Sequence, residues 1–217
     1  MLRALALSLA LLAPPALADT ITPVAVDAPP GTYQIDPQHT RIMFSVSHMG
    51  FSNYTAFFTG FDAKLQFDPA NPQSITVDAT VKPGSVETLF PDTSVDFNGI
   101  IAGSDLLDAA AYPEARFVST AVTLTGPNTA TVTGDLTLHG VTRPMTWDVT
   151  FNGGYPGMEL DVGARIGFSA TGHIKRSDYG MAFGLPEPGS TLGVFDEVTL
   201  RIETEFVKPR DGSAAQP

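Results

Sequence analysis

The sequence predicts an all-β fold, an antiparallel barrel of about eight strands, and three observations predict it. Thr129 to His139 alternates apolar and polar side chains without a break. The alternation resumes from Met145 to Phe151 after Gly140-Val-Thr-Arg-Pro144, so the two runs read as a half-buried hairpin. Similar short runs recur along the chain, with no long helix-period segment to make parallel crossovers. An antiparallel sheet with one dry face must close on something, and barrel closure also removes vulnerable edges. A β-sandwich satisfies the same periodicity, so alternation alone does not separate the two.

In chain order, the first segment is not a strand. Arg3, the apolar run Leu5 to Ala13 and the small residues Ala16-Leu-Ala18 read as a secretory signal peptide over 1–18. The apolar run is too short to span a bilayer, and no later segment reaches spanning length. Removing 18 of the 217 residues leaves 199, and losing Arg3 takes the net charge from −11 to −12. That charge argues against nucleic acid and anionic membrane surfaces as partners, and no stable membrane insertion is expected. Export implies the bacterial periplasm or the outside of the cell, and the periplasm is the expected compartment. Cysteine is absent, which excludes disulfides, thiolate metal sites and thiol nucleophiles.

Residues 19–30, rich in Pro, Thr and Ala, read as a flexible leader, and 209–217 as a flexible tail around one domain over 31–208. Arg41 to Met49 places Ile42, Phe44, Val46 and His48 on one strand face. Tyr54 to Phe67 continues as a long strand bent at Gly60. Ser74 to Val81 alternates again. Ser104 caps a predicted short helix over 104–111, where β-branched residues are scarce. Arg116 to Leu124 is strand-like with apolar residues on both faces. Glu159 to Ala170 buries Leu160, Val162, Ala164, Ile166 and Phe168, and Asn152 to Gly157 reads as the turn before it. Glu197 to Val207 buries Val198, Leu200, Ile202 and Phe206. Ala130, Gly134 and Ala164 fall on dry faces, where small residues leave volume unfilled.

Chemistry-bearing patterns are sparse. His39, His48, His139 and His173 show no metal-ligand spacing, and no Gly-x-Ser-x-Gly elbow is present. Neither a catalytic residue nor a metal site is expected. His48 with a neighbouring carboxylate is the one pair an enzymatic alternative would use.

Four blocks carry a family resemblance. Tyr33 to Ser52 (YQIDPQHTRIMFSVSHMGFS) resembles the opening of the YceI-like family of exported bacterial proteins. Tyr112-Pro113, Gly134 to Pro144 (GDLTLHGVTRP) and Lys175 to Met181 (KRSDYGM) agree with it in order. The resemblance implies an extended lipocalin-like barrel that holds a polyisoprenoid or isoprenoid quinone as ligand, without catalysis or a separate cofactor. It also implies periplasmic isoprenoid handling linked to stress responses, and a homodimer is compatible with it. One departure is that the segment before the short helix, which usually carries basic residues and a His in the family, reads Val95-Asp-Phe-Asn-Gly-Ile-Ile-Ala-Gly-Ser104. If those basic groups hold a polar headgroup, the departure implies a different headgroup or none.

On that basis the expected lining is Phe44, Val46, Phe58, Phe117, Leu136, Leu138, Trp147, Val149, Ile166, Phe168 and Leu200. His48, Arg176 and Asp178 flank turns that a mouth would use. Each buried methylene-sized unit contributes about 0.8 kcal/mol, and a long chain needs an elongated tunnel on the order of 1,000 Å³. Besides a lipid carrier, an enzyme acting on a bound lipid and a filled barrel serving as an interaction module remain open.

Overall fold

The computed structural model describes Thr22, residues 25–161 and residues 163–208. The expected signal peptide and the tail over 209–217 lie outside the described residues. The strands are β1 (Gly31–Ile35), β2 (Arg41–His48), β3 (Ser52–Phe58), β4 (Phe61–Phe67), β5 (Thr76–Val81) and β6 (Val86–Glu87). They continue as β7 (Ala115–Leu124), β8 (Thr129–Leu138), β9 (Val141–Tyr155), β10 (Ala164–Lys175) and β11 (Val194–Lys208). All pairings are antiparallel.

These strands occupy the eight positions of a closed lipocalin-like barrel, because three positions are each filled by a broken strand. β1 and β2 together flank β11, which pairs Phe206 and Val207 with β1 and Val194 to Glu203 with β2. β4 continues β3 and pairs with β1, while β3 pairs with β2. β5 and β6 repeat the pattern against β4 and β3. From β7 to β11 each strand pairs with its sequence neighbour, and β11 closes the ring. The sandwich alternative is thereby settled in favour of the barrel.

Local chemistry sets the breaks. Pro37 opens a 3-10 turn between β1 and β2, and the Asp36 carboxylate caps it by accepting from Gln38 N–H at 2.9 Å. The bend at Thr59 and Gly60 faces the break at Pro83 to Ser85. Gly60 N–H donates to Ser85 Oγ at 2.8 Å, and a Cβ on Gly60 would lie only 3.0 Å from Ser85 Cβ. The two bends therefore hold each other.

The double-sided pattern of Arg116 to Leu124 is resolved by a bulge at Thr120. Ser119 pairs with Gly134 and Ala121 with Thr133, so Thr120 is extra. Phe117 and Ser119 face inward before it, and Val122 and Leu124 after it. One inserted residue reverses the parity of everything beyond.

Two boundaries differ from expectation. The helix is Phe97–Ala102, capped by Asp96, whose carboxylate accepts from Gly99 N–H at 2.9 Å. Residues 104–111 form consecutive turns instead, with Asp108 at φ +41° and its carbonyl accepting from Ala111 and Tyr112 N–H. Helix propensity of the Ala run is overridden because Leu107 packs, partly buried, against the barrel core. β10 starts at Ala164 rather than Glu159, because β9 runs through Asn152 to Tyr155 and the described residues 156–161 and 163 lie outside both strands. Val162, expected to be buried, lies outside the described residues. Leu160 is consequently 96% exposed.

The interior divides in two. At one end Ala28, Tyr33, Ala63, Leu65, Phe67, Ala164, Ile166 and Phe206 pack together. At the other, Phe117, Leu136, Met145, Trp147, Tyr179 and Met181 fill the barrel. Ala28 belongs to the composition-defined leader, yet it is 3% exposed, so the leader's last residues are docked rather than free. No helix among the described residues is long and apolar enough to cross a membrane.

Candidate functional site

The half of the barrel nearest the β4–β5, β7–β8 and β9–β10 connections encloses an apolar cavity of about 210 Å³. All eight strand positions contribute to its wall. Leu65, Phe67, Ile75 and Val77 come from one side, Val122, Ala130, Val132 and Val149 from another, and Ile35, Ile42, Ile202 and Phe206 from the closure. Phe151 lies between Phe67 and Phe168, with ring centroids 6.2 and 5.4 Å away, and Phe168 meets Phe206 edge-on at 6.2 Å. These four rings form an aromatic collar. Phe117 and Trp147, edge-on at 6.2 Å, make the floor. Pro69, Pro72, Pro127 and Asn128 stand at the rim, and Val26 reaches the cavity from the leader.

Interior polar groups are mutually satisfied. Ser119 Oγ accepts from Val77 N–H at 2.9 Å, and Thr204 Oγ1 lies 2.8 Å from Thr40 Oγ1. None of the lining residues is titratable. The cavity therefore discriminates by burial, not by charge.

Of the expected lining, Phe117, Trp147, Val149 and Phe168 border this cavity. Ile166 is fully buried beside it in the packed cluster with Ala28 and Tyr33. Leu136, Leu138 and Leu200 belong to the filled half below the floor. Phe44 packs on Phe58 at 5.4 Å on β2 and β3, and Val46 pairs across to Val198 and Tyr54. Phe44, Val46 and Phe58 are on dry faces but away from the space. The cavity of this structure is a shorter cup than the expected elongated tunnel, because aromatic and methionine side chains occupy the other half. Gly134 leaves no void: a Cβ there would collide with Val118 O and lie 2.5 Å from Phe117 Cζ, so the phenyl ring already occupies that space. Ala164 is likewise packed inside the leader-side cluster, and Ala130 alone of the three small residues borders the cavity. Leu65, Phe67, Phe151, Ile202 and Phe206 also line it, outside the expected set. Their strand parity is the signal that could have found them, since it matches that of dry-face neighbours on the same strands.

The motif blocks are structural. Arg176 is buried and donates to the carbonyls of Phe195, Phe183 and Val194 at 3.1, 3.1 and 2.7 Å, and burial pushes its guanidinium pKa down. It is not a mouth residue. Asp178 is exposed, and its carbonyl accepts from Arg143 Nε at 2.6 Å. His139, at φ +51° in the β8–β9 turn, donates Nδ1–H to Tyr179 O at 2.9 Å and packs on Tyr112 at 4.7 Å. Its Nε2 is buried without a partner among the described residues. Together these groups close the far end of the barrel. His48 ends β2 exposed, with no side-chain partner among the described residues.

Charge concentrates outside the barrel. Asp36, His39 and Glu205 converge within 4.8 Å, a spacing that suits a cation. That cation is Arg165, whose Nη1 lies 2.5 Å from Asp36 and 2.6 Å from Glu205, while Nε reaches Asp161 at 2.9 Å. Burial alone would push the Asp36 carboxyl up, but hydrogen bonds from Arg165, His39 and Gln38 N–H hold it down at about 2. Burial similarly pushes the Tyr33 phenol up to about 12, and its hydroxyl donates to Pro29 O at 2.7 Å.

A family model described as YceI-like domain matches residues 33–206. A UPF0312 protein of Pseudomonas putida (strain W619) is 40% identical over 180 residues, 82% of this chain and 87% of its own length. One from Pseudomonas syringae pv. tomato is 40% identical over 166 residues, 76% and 81% of the two chains. Among solved structures, Burkholderia cenocepacia BcnA superposes with a TM-score of 0.65 at 29% identity, covering 79% of this chain and 98% of that one. A polyisoprenoid binding domain from Saccharophagus degradans superposes at 0.58 with 17% identity, covering 82% and 98%, a likeness of fold. By the extent of the family match and the identity of these relatives, the chain belongs to the YceI-like domain family.

Proposed function

We propose that this protein binds an isoprenoid lipid, a polyisoprenoid or an isoprenoid quinone, with its chain in the apolar cavity. It acts as a periplasmic carrier or scavenger rather than as an enzyme. The observation that carries the reading is a cavity walled by all eight strand positions in which every lining group is apolar or internally hydrogen-bonded. Family membership and the polyisoprenoid binding domain with the same fold support it. At about 0.8 kcal/mol per methylene-sized unit, a few buried isoprene units suffice for retention without polar contacts. Phe117, Trp147, Val149 and Phe168 are the residues of the expected lining that contact the chain, joined by Phe67, Phe151 and Phe206.

The signal-peptide-like N-terminus supports periplasmic residence, and a stress-linked role follows from the family resemblance alone. A polar head stays at the rim beside Asn128 and Thr129, since the interior has no free polar group to receive it. Organic extraction of protein purified from its native host, followed by mass spectrometry, is expected to recover prenyl-chain lipids. Repeated preparations without any would sink the reading. Wild-type function retained by His48→Ala is expected, and its loss would revive the enzymatic alternative.

A further inference from the structure

The cavity's walls are not held equally. Along the barrel the lining side chains sit mainly in strands of the closed ladder. At the rim, the β4–β5 connection is tied by Asn71 N–H to Asp68 O at 3.2 Å and Ser74 N–H to Asn71 O at 2.9 Å. The β7–β8 turn is tied by Thr125 N–H to Thr129 O at 2.9 Å. Residues 25–30 differ, because no backbone–backbone hydrogen bond joins them to another described residue. They are seated by Ala28 in the core and by Val26 against the cavity. Two side chains also grip their carbonyls, Tyr33 on Pro29 and Lys208 on Pro30, each at 2.7 Å.

The seat itself is Gly154. A Cβ there would lie 3.3 Å from Ala28 Cβ and 2.7 Å from Ile166 Cγ2, so only glycine leaves the notch that Ala28 fills. Pro29 and Pro30 stiffen the segment, and Gly31, at φ +140°, supplies a pivot where it joins β1.

A segment held by two small apolar side chains and two side-chain hydrogen bonds, with no backbone ladder, lies at the low end of local stability. The cavity of about 210 Å³ is also smaller than the roughly 300–1,000 Å³ of ordinary ligand pockets. Enlarging it by moving a strand breaks the ladder, whereas lifting residues 25–30 breaks none of it. We propose that residues 25–30 form a strap across the open end of the barrel, which a prenyl chain displaces on loading. Strap release and cavity filling are then coupled, because the chain binds the strap-lifted state better than the closed one. The inference rests on the cavity being a prenyl-chain site.

The chain has no cysteine and one tryptophan, Trp147, on the cavity floor. Ala28→Cys therefore installs a single thiol under the strap, while Trp147 fluorescence reports occupancy. Alkylation by iodoacetamide is measured with and without saturating geranylgeraniol, and binding is checked by native mass spectrometry. Labelling is expected to rise roughly tenfold to hundredfold on loading, the factor for re-exposing side chains of this size. If the alcohol binds and the labelling rate does not change, the strap is refuted and the prenyl-site reading stands. If neither fluorescence nor mass registers binding, both fall. Val26→Gly, which trims a partly buried side chain packed against the leader-side cluster, is expected to speed geranylgeraniol uptake in the otherwise native protein. An unchanged uptake rate also overturns the strap.

Discussion

At the scale of single residues, the floor of the cavity depends on close approach. Phe117 lies over Gly134, and Trp147 lies against Gly172, where an added Cβ would collide with Met145 Cε and come within 3.0 Å of Trp147 Cε3. These glycines admit rings. Strand glycine normally costs about 0.5–1 kcal/mol against alanine, so Gly134→Ala would stabilise the protein if only propensity mattered. The added methyl would meet the Val118 carbonyl as well as a ring, and a backbone atom cannot swing away. Gly134→Ala is therefore expected to destabilise by about 1–3 kcal/mol in urea unfolding, and a variant as stable as wild type would refute this packing. The glycine's place on a dry face was legible in the sequence. Its occupation by Phe117 was not, because that partner sits across a strand pair seventeen residues away in sequence.

At the scale of elements, Asp36 joins several. Its carboxylate caps the turn between β1 and β2, and its N–H donates to Glu205 O on β11 at 2.8 Å. Through Arg165 it is also tied to β10 and to Asp161 before it. The ion pair is largely shielded, with side-chain exposures of 18% for Arg165 and 12% for Asp36, unlike the open Arg116–Asp78 pair on β7 and β5. Exposed pairs of the latter kind contribute about 0–1 kcal/mol. The Asp36 carboxyl is held at about 2 in the fold against an ordinary 3.8. A depressed carboxylate stabilises the fold fully above its unfolded pKa, and that stability is lost as pH falls from about 4 through 2. Asp36→Asn is expected to cost about 2–3 kcal/mol at neutral pH and to flatten the acid limb of stability over that window. An acid limb identical to wild type in urea titrations would show that the hub does not hold the fork of β11.

The same scale shows where local pattern misleads. Alternation identifies β8 and β9 almost residue by residue, since a half-buried strand writes its two faces directly into sequence. On β7 the bulge at Thr120 interrupts that code, and both faces read as apolar. The Ala-rich stretch after Ser104 has helix propensity, yet the helix forms at Phe97–Ala102, where Asp96 supplies a cap and burial of Leu107 dictates the turns that follow. Propensity is worth tenths of a kcal/mol per residue, and even a partly buried leucine outweighs several such terms.

At the scale of the whole molecule, the closed ring leaves one end filled and one end hollow. Binding that selects the folded state adds about 2.7 kcal/mol at a hundredfold excess over Kd. For a chain of this size that corresponds to a rise of roughly 5–10 °C in Tm. Geranylgeraniol is expected to produce such a rise together with a change in Trp147 fluorescence, and a Tm that does not depend on its concentration would count against the cavity as its site. The net charge of −11 does not enter this balance, because no charged side chain among the described residues reaches the lining.

Strand periodicity, motif order and composition are local properties, and they suffice for the barrel's dry faces, its family and the absence of thiol chemistry. Which dry-face residues border empty space is instead a property of the assembled barrel. Depth along a barrel depends on where strands break, bulge and meet the closing strand, and on which rings from distant strands fill each level. Phe117 and Leu136 pair directly across β7 and β8, yet one floors the cavity and the other is packed beneath it. The docking of Ala28 was decided the same way: its composition reads as linker, and a notch at Gly154 makes it core.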